Sequence, residues 1–289
     1  MKKWFLRAKI LSLFSSFLML CSSVEARFQD DERVRMLAEG LPLHGVGLEV
    51  APFYRPTLMK GEYNIYYTDY TTADELIRKH KHLDIANQIA ELTVKVDFIW
   101  TPGAQLITRV PYGLRFDYAI ASHVIEHVPN VIGWLIQIFD VLKTGGVISL
   151  AVPDKRYTFD AYRPETHVNE MIDLWLRDQS IPSPAQIYDM LSNAIDVPEG
   201  RLPQEEGIPF ESLHRNYTDQ QALDFAFHSY KNRTYLDIHC SVFTPESLQK
   251  IFLKLHELGI LNAAISEPIS CGSEFFIRLT KLGDPPVRR

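Results

Sequence analysis

From residue 45 onward, short segments rich in β-branched and aromatic residues alternate with longer amphipathic ones. This rhythm limits the fold more than any other feature of the chain. A strand, a helix and a further strand make a parallel pair, and a sheet built that way is covered by helices on both faces. "GVGLEVAP" (45–52) is a first strand ending at a turn, and "YNIYYTDY" (63–70) is a second that ends in an acid. "TADELIRKHKHL" (72–83) follows, with a capping threonine and acids in its first turn, the marks of a helix start. "VKVDFIW" (94–100) and "FDYAIASHV" (116–124) are the third and fourth strands. "IGWLIQIFDVLKTGG" (132–146) sets Ile132, Leu135, Ile136, Phe139 and Leu142 at helical spacing, with Gly145 and Gly146 as its stop. "VISLAVP" (147–153) is the fifth strand, ended by Pro153.

The last part of the chain reads helix "TPESLQKIFLKLHELG", strand "LNAAISEP", turn "ISCG" and strand "EFFIRLTK". The short turn makes the final pair antiparallel. Residues 154–240 keep no such rhythm and carry many prolines and aromatics, so they are an insertion after the fifth strand. The expected fold is a doubly wound α/β sheet of seven strands, mostly parallel with the last antiparallel, plus a helical and irregular insertion.

In open α/β sheets, ligands bind outside the carboxyl ends of the strands. Those ends carry Glu49, Asp69, Asp97, Ser122 with His123, and Pro153 with Asp154. One acid there is usually a cap or a turn residue. Acids on each of the first three strands point to a nucleoside-like ligand, because carboxylates accept hydrogen bonds from ribose hydroxyls or an exocyclic amine.

"ASHVIEHVPN" (121–130) contains His-x-x-Glu-His, the spacing of a family of zinc proteases. On a helix, His123 and His127 would share one face and Glu126 would act as base on a metal-bound water. The context opposes this. A strand runs into the motif, and Pro129 disfavours helix at Val128.

The block "FDYAIASHVIEHVPNVIGWLIQIFDVLKTGGVISLAVPDKRYTFD" resembles the class I S-adenosylmethionine-dependent methyltransferases, in the subgroup written SHVIEHVP…GG…VPDKR. "GLEVAPFYRP", "YYTDY" and "VDF" resemble the ends of that family's first three strands. The likeness is close over residues 45–155 and implies a Rossmann-like sheet with S-adenosylmethionine as cofactor. It further implies Glu49 and the Ala51 backbone near the methionine end, and Asp69 at the ribose. Asp97 and Phe98 would border the adenine, with Ser122 and His123 beside the transferred methyl. The first loop departs from the family's glycine-rich pattern. It reads Val50, Ala51, Pro52, and alanine is small enough that a close approach of cofactor survives if its φ is negative.

Some methyltransferases carry Glu-x-x-Glu-His after the fourth strand and bind a divalent ion there. Here His123 stands in place of the first Glu, and Glu126, His127 and His239 complete a low-ranked metal set, with His167 and His214 as further ligand candidates. The favoured reading has no metal, with His123 lining the cofactor pocket. "VPDKRYTFDAYRPETHV" brings Asp154, Arg156 and Arg163 to where an acceptor would meet the methyl. The two arginines either hold an anionic group or anchor the insertion. Candidates for the base are His123, Asp154 and His239, with His123 first.

The net charge of −6, with no long basic run, gives no reason to expect a nucleic-acid partner. Cys21, Cys240 and Cys271 are scattered and form neither a disulfide framework nor a thiolate zinc site. Residues 1–26 form a basic, then apolar, signal-like leader, so membrane contact would run only through them. The expected location is cytoplasmic, membrane association through 1–26 and secretion being alternatives. Residues 27–289 then form one methyltransferase domain, with 154–240 as a substrate cap. The expected reaction is O- or N-methylation of a small-molecule or glycan-type acceptor. Two competitors stay open: a metal-dependent hydrolase using His123, Glu126 and His127, and a non-catalytic binding module.

Overall fold

A computed structural model describes residues 32–195 and 209–285; the leader 1–26 lies outside them. The sheet is built from β1 (Gly47–Val50), β2 (Ile65–Asp69), β3 (Phe98–Ile99), β4 (Phe116–Ser122), β5 (Leu142–Pro153), β6 (Ala263–Ile265), β7 (Ile269–Cys271) and β8 (Glu274–Lys281). The strand order is β3-β2-β1-β4-β5-β8-β6, and β7 also pairs with β8. Pairs among β1 to β5 are parallel; β8 runs antiparallel to β5, β6 and β7. The strand order reverses direction between β1 and β4, which opens a crevice at their carboxyl ends.

The helices are α1 (Ala73–His80), α2 (Ala86–Leu92), α3 (Val131–Val141), α4 (Val168–Leu176), α5 (Pro184–Asn193), α6 (Asp219–Asn232) and α7 (Pro245–Glu257). Expected caps form at their starts. Thr72 accepts from the Glu75 amide, and Thr244 from the Ser247 amide with Pro245 in the first turn. Along β4 the side chains divide by period two. Ala119 and Ala121 join the core under α3 and α7, while Tyr118 and Ile120 join the opposite face. Fully buried Leu135 and Ile138 hold α3 to the sheet, each worth roughly 2 kcal/mol.

Three local expectations are corrected. The third strand is only Phe98–Ile99, so Asp97 precedes it instead of ending it. The reason is the Asp97 carboxylate, which accepts from the Tyr67 amide (2.6 Å) and pairs with Lys60 (2.6 Å) at the strand's entry. Helix α3 stops at Val141, so Leu142 begins β5 and the two glycines lie within the strand span. Gly145 takes φ 81, and a Cβ on Gly146 would sit 2.9 Å from the Lys143 carbonyl oxygen. "ISC" is strand β7, not turn; the turn is a tight reversal at Gly272, whose φ is 59.

The insertion packs α5 against α6 through a separate apolar cluster that includes Ile187, Leu191, Ala222, Ala226 and Ile238. Polar contacts hold it together from within, and Gln186 Nε2 joins it to the segment after β4 by donating to the Pro129 carbonyl oxygen at 3.2 Å. Arg163, only 1% exposed, bonds Asp160, Asp189 and the His239 carbonyl oxygen. Arg156 is engaged by the Asp154 carboxylate. Of the two roles open to these arginines, Arg163 takes that of an anchor within the insertion.

Candidate active site

At the carboxyl ends of β1, β2 and β4 lies a cavity of about 730 Å³. One side is formed by the sheet: Ala51, Asp69, Tyr70, the 101–105 loop and His123. The other is formed by the segment after β4 and the insertion: Glu126, His127, Phe159, Met190, Asp237 and His239. Aromatic side chains make much of the wall. Trp100 stacks on Trp134 with centroids 6.3 Å apart, and Tyr70 stacks on Tyr235 at 6.1 Å. A volume of this size, apolar with a few convergent polar groups, is typical of a site for a cofactor-sized ligand.

Asp69 ends β2 at the cavity, and one carboxylate oxygen accepts the Tyr70 amide at 2.7 Å. Burial lifts its pKa to about 7 against the opposing backbone hydrogen bonds. Glu49 is equally buried, but its carboxylate turns away to accept the amides of Thr57 (2.6 Å) and Leu58 (3.3 Å). It does not line the cavity, and burial raises it to about 7 as well.

The backbone is left-handed at four non-glycine cavity residues: Ala51 (φ 53), Phe53 (φ 50), His123 (φ 54) and Asp178 (φ 49). The condition of a negative φ at Ala51 is therefore not met. Alanine here adopts the turn that glycine would adopt without strain, at a cost of about 1–2 kcal/mol. Strain of this kind gathers where a site over-determines the backbone.

His123 leaves the end of β4 with its amide on the Ala151 carbonyl oxygen, 2.9 Å away. Its Nε2 lies 2.7 Å from Glu274 Oε2, and its Nδ1 lies 3.6 Å from Glu126 Oε1. Glu274 also receives Arg33 Nε at 2.8 Å, and the same guanidinium bonds Ser122 Oγ. Burial favours neutral Glu274, but His123 and Arg33 outweigh it and lower its pKa. The residues Ile125–His127 form a single 3-10 turn that ends in extended Val128. His123 and His127 thus share no helical face, and the arrangement a helical zinc-protease motif needs is not formed.

Asp97, Phe98, Ser122 and Asp154 do not line the cavity. Asp154 is spent on Arg156, and the loop after β3 presents Trp100, Thr101 and Gln105 in place of an acid. His239 lines the cavity with Nδ1 on Asp160 at 2.6 Å. His127 Nδ1 meets Asp237 at 3.0 Å. Burial works against charge on His127, but Asp237 and Glu126 outweigh it and lift the imidazole to about 9. Sequence reasoning missed Tyr235, Asp237 and Glu274. The first two had a signal: in "YLDIHC" they alternate with Leu236, Ile238 and Cys240, which pack into the insertion's core.

Residues 45–255 match the family model described as a methyltransferase domain. The chain belongs to this family. The class I likeness of the fourth-strand block is borne out, as is its sheet, and the cofactor of this methyltransferase is S-adenosylmethionine. The residues suit that cofactor: a carboxylate at the end of β2, aromatic walls and a backbone turn at Ala51 that keeps the shape of a glycine loop. Among solved structures, the PH0226 protein of Pyrococcus horikoshii OT3 is 15% identical, covering 90% of this chain and 92% of that one, with a TM-score of 0.42. A DhpI–SAH complex is 13% identical over 98% of both chains, with a TM-score of 0.39. The CurJ carbon methyltransferase is 12% identical over 91% of this chain, with a TM-score of 0.42, and the methyltransferase spans only 56% of its length. A comparison with curated protein sequences finds no match. The assignment rests on the family match. No helix among the described residues is long and apolar enough to cross a membrane.

Proposed function

We propose that the methyltransferase moves the methyl of S-adenosylmethionine to an oxygen or nitrogen of a small-molecule or glycan-type acceptor held beneath the 154–240 insertion. The observation that carries this reading is the two-sided cavity. Strand ends form its cofactor side, the insertion forms its acceptor side, and His123 stands between them.

In this reading Asp69 accepts the ribose hydroxyls. The 101–105 loop and Trp100 border the adenine in the place first given to Asp97 and Phe98. Displacement at a sulfonium methyl depends mainly on alignment, which the two-sided cavity supplies. An acceptor hydroxyl or amine also loses a proton. His123 is suited to take it, because Glu274, 2.7 Å from Nε2, fixes the ring at the cavity wall. Phe159, Met190 and Tyr235 enclose the acceptor and exclude water.

The test is thermal stabilisation by S-adenosylmethionine and S-adenosylhomocysteine, in wild type and Asp69→Ala. Both ligands should stabilise wild type and do so much less in the variant. Absence of any response in wild type would overturn the reading and favour a non-catalytic binding module.

A further inference from the structure

The acceptor side of the cavity holds a cluster that methyl transfer does not by itself require. Glu126 is 2% exposed, and neither carboxylate oxygen has a hydrogen-bond partner among the described residues. A carboxylate without a hydrogen bond at such depth is costly, and the nearest imidazole nitrogens, His123 Nδ1 at 3.6 Å and His127 Nε2 at 4.0 Å, stand beyond hydrogen-bond reach, which leaves room for an ion between them. Glu126, His127 and His239 each offer a ligand atom, and these atoms lie within 4.8 Å of one another.

Both imidazoles are oriented as ligands are oriented around an ion. His127 has Nδ1 on Asp237, and His239 has Nδ1 on Asp160, which Arg163 clamps in turn. A carboxylate at Nδ1 fixes the ring and makes Nε2 the coordinating nitrogen. His127 Nε2 lies 4.0 Å from Glu126 Oε1. The two segments that carry the ligands are also joined. The Glu126 carbonyl oxygen accepts the amides of Cys240 (2.6 Å) and Ser241 (3.1 Å). His123 does not belong to the set, since its Nε2 is taken by Glu274.

We propose that Glu126, His127 and His239 form a site for one divalent transition-metal ion on the acceptor side of the cavity. Two imidazoles and one carboxylate suit zinc, manganese or iron(II), and suit magnesium or calcium poorly. Three protein ligands leave coordination positions open toward the cavity. Resting on the methyl-transfer reading, the ion selects acceptors with an oxygen donor and lowers the pKa of a coordinated hydroxyl. The hydroxyl proton passes to His123, the acceptor oxygen forms its bond to the methyl carbon, and the breaking S–CH3 pair stays on sulfur as S-adenosylhomocysteine.

The experiment uses the full chain, stripped with a chelator and dialysed, then titrated with Co²⁺ by visible absorption and with Zn²⁺ by calorimetry. The expected result is one ion per chain with a d–d spectrum of low-symmetry coordination. Glu126→Gln and His239→Ala should each weaken binding at least about tenfold, and Asp237→Asn about 10–100-fold. Circular dichroism and a cooperative thermal transition, measured on the same samples, show that the variants are folded, and stabilisation by S-adenosylhomocysteine is read alongside. Failure of folded wild type to take up an ion, or wild-type uptake by folded Glu126→Gln, overturns the site. Because cofactor stabilisation is read separately, its absence counts against the proposed reaction and leaves the titration to decide the ion site.

Discussion

His123 at the end of β4 and Glu274 at the start of β8 stand 151 residues apart in sequence and share a 2.7 Å contact between Nε2 and Oε2. Strand pairing brings them together. β8 is antiparallel to β5 with Glu274 opposite Pro153, so its first residue lies at the carboxyl end of the parallel strands. If Glu274 positions the base, Glu274→Gln should lower kcat about 100-fold with an acceptor found from a hydroxyl- and amine-bearing panel. The Kd for S-adenosylmethionine, read by calorimetry, should stay within about twofold of wild type. Full kcat in the variant would remove Glu274 from the role of positioning residue.

If Asp69 holds the ribose as proposed, it sets a pH dependence for cofactor binding. Burial is the largest cause of its pKa near 7, with the Tyr70 and Thr71 backbone hydrogen bonds opposing. Ribose hydroxyls donate to the ionised form, so binding releases a proton wherever Asp69 is protonated beforehand. Affinity for S-adenosylhomocysteine should therefore fall as pH drops below 7, by up to about tenfold per pH unit. Asp69→Asn should bind more weakly at pH 8 and show a flat profile. Calorimetry from pH 5.5 to 8 checks both outcomes.

Glu49 acts on stability instead, since it faces amides and not the cavity. Its folded pKa is about 7 against an ordinary 4.5, chiefly from burial. Between those values the folded state binds the proton and the unfolded state does not. Stability from this group is thus fully present below pH 4.5 and lost as pH rises to 7, by on the order of 3 kcal/mol. Glu49→Gln cannot titrate, so its stability relative to wild type should improve steadily over that range. Urea denaturation at pH 4.5, 6 and 7.5 reads the difference.

The buried Arg163 tests how the insertion is held. Its guanidinium is the charge partner of Asp160, which also holds His239. His239 and Arg163 outweigh burial and keep the Asp160 carboxyl near 2. Arg163→Met would leave that carboxylate buried with one partner fewer, a loss of about 3–5 kcal/mol. A smaller loss by urea denaturation, below about 1 kcal/mol, would show that the insertion is anchored elsewhere.

Much of the fold was legible because its causes are local. β-branched runs, threonine caps and the periodicity of α3 need only neighbours in sequence, and the "FDYAIASHV" block located the cavity's centre. Asp97 misled because an acid near a strand reads the same at its entry as at its exit; the Tyr67 amide and Lys60 decide which. Glu274 carried no local signal, since its place depends on the register of β8 against β5. Glu126 was visible, but the absence of a hydrogen-bond partner for its oxygens is a property of packing alone.

The glycine-poor first loop is the last such case, and it gives the most direct test of the cofactor side. Ala51 is left-handed at φ 53 and its amide bonds the Thr68 carbonyl oxygen at 2.7 Å, so the turn is formed despite the missing glycine. Left-handed alanine costs about 1–2 kcal/mol, and glycine returns part of that through its freer unfolded chain. Ala51→Gly should therefore gain up to about 1 kcal/mol and keep its affinity for S-adenosylmethionine. Ala51→Val should lose about 2 kcal/mol or more and bind the cofactor weakly, because a β-branched side chain resists this φ most strongly. Urea denaturation and cofactor calorimetry on the two variants would settle the point. Destabilisation of Ala51→Gly by more than about 1 kcal/mol would mean that the alanine methyl, and not the turn it adopts, is what the loop needs.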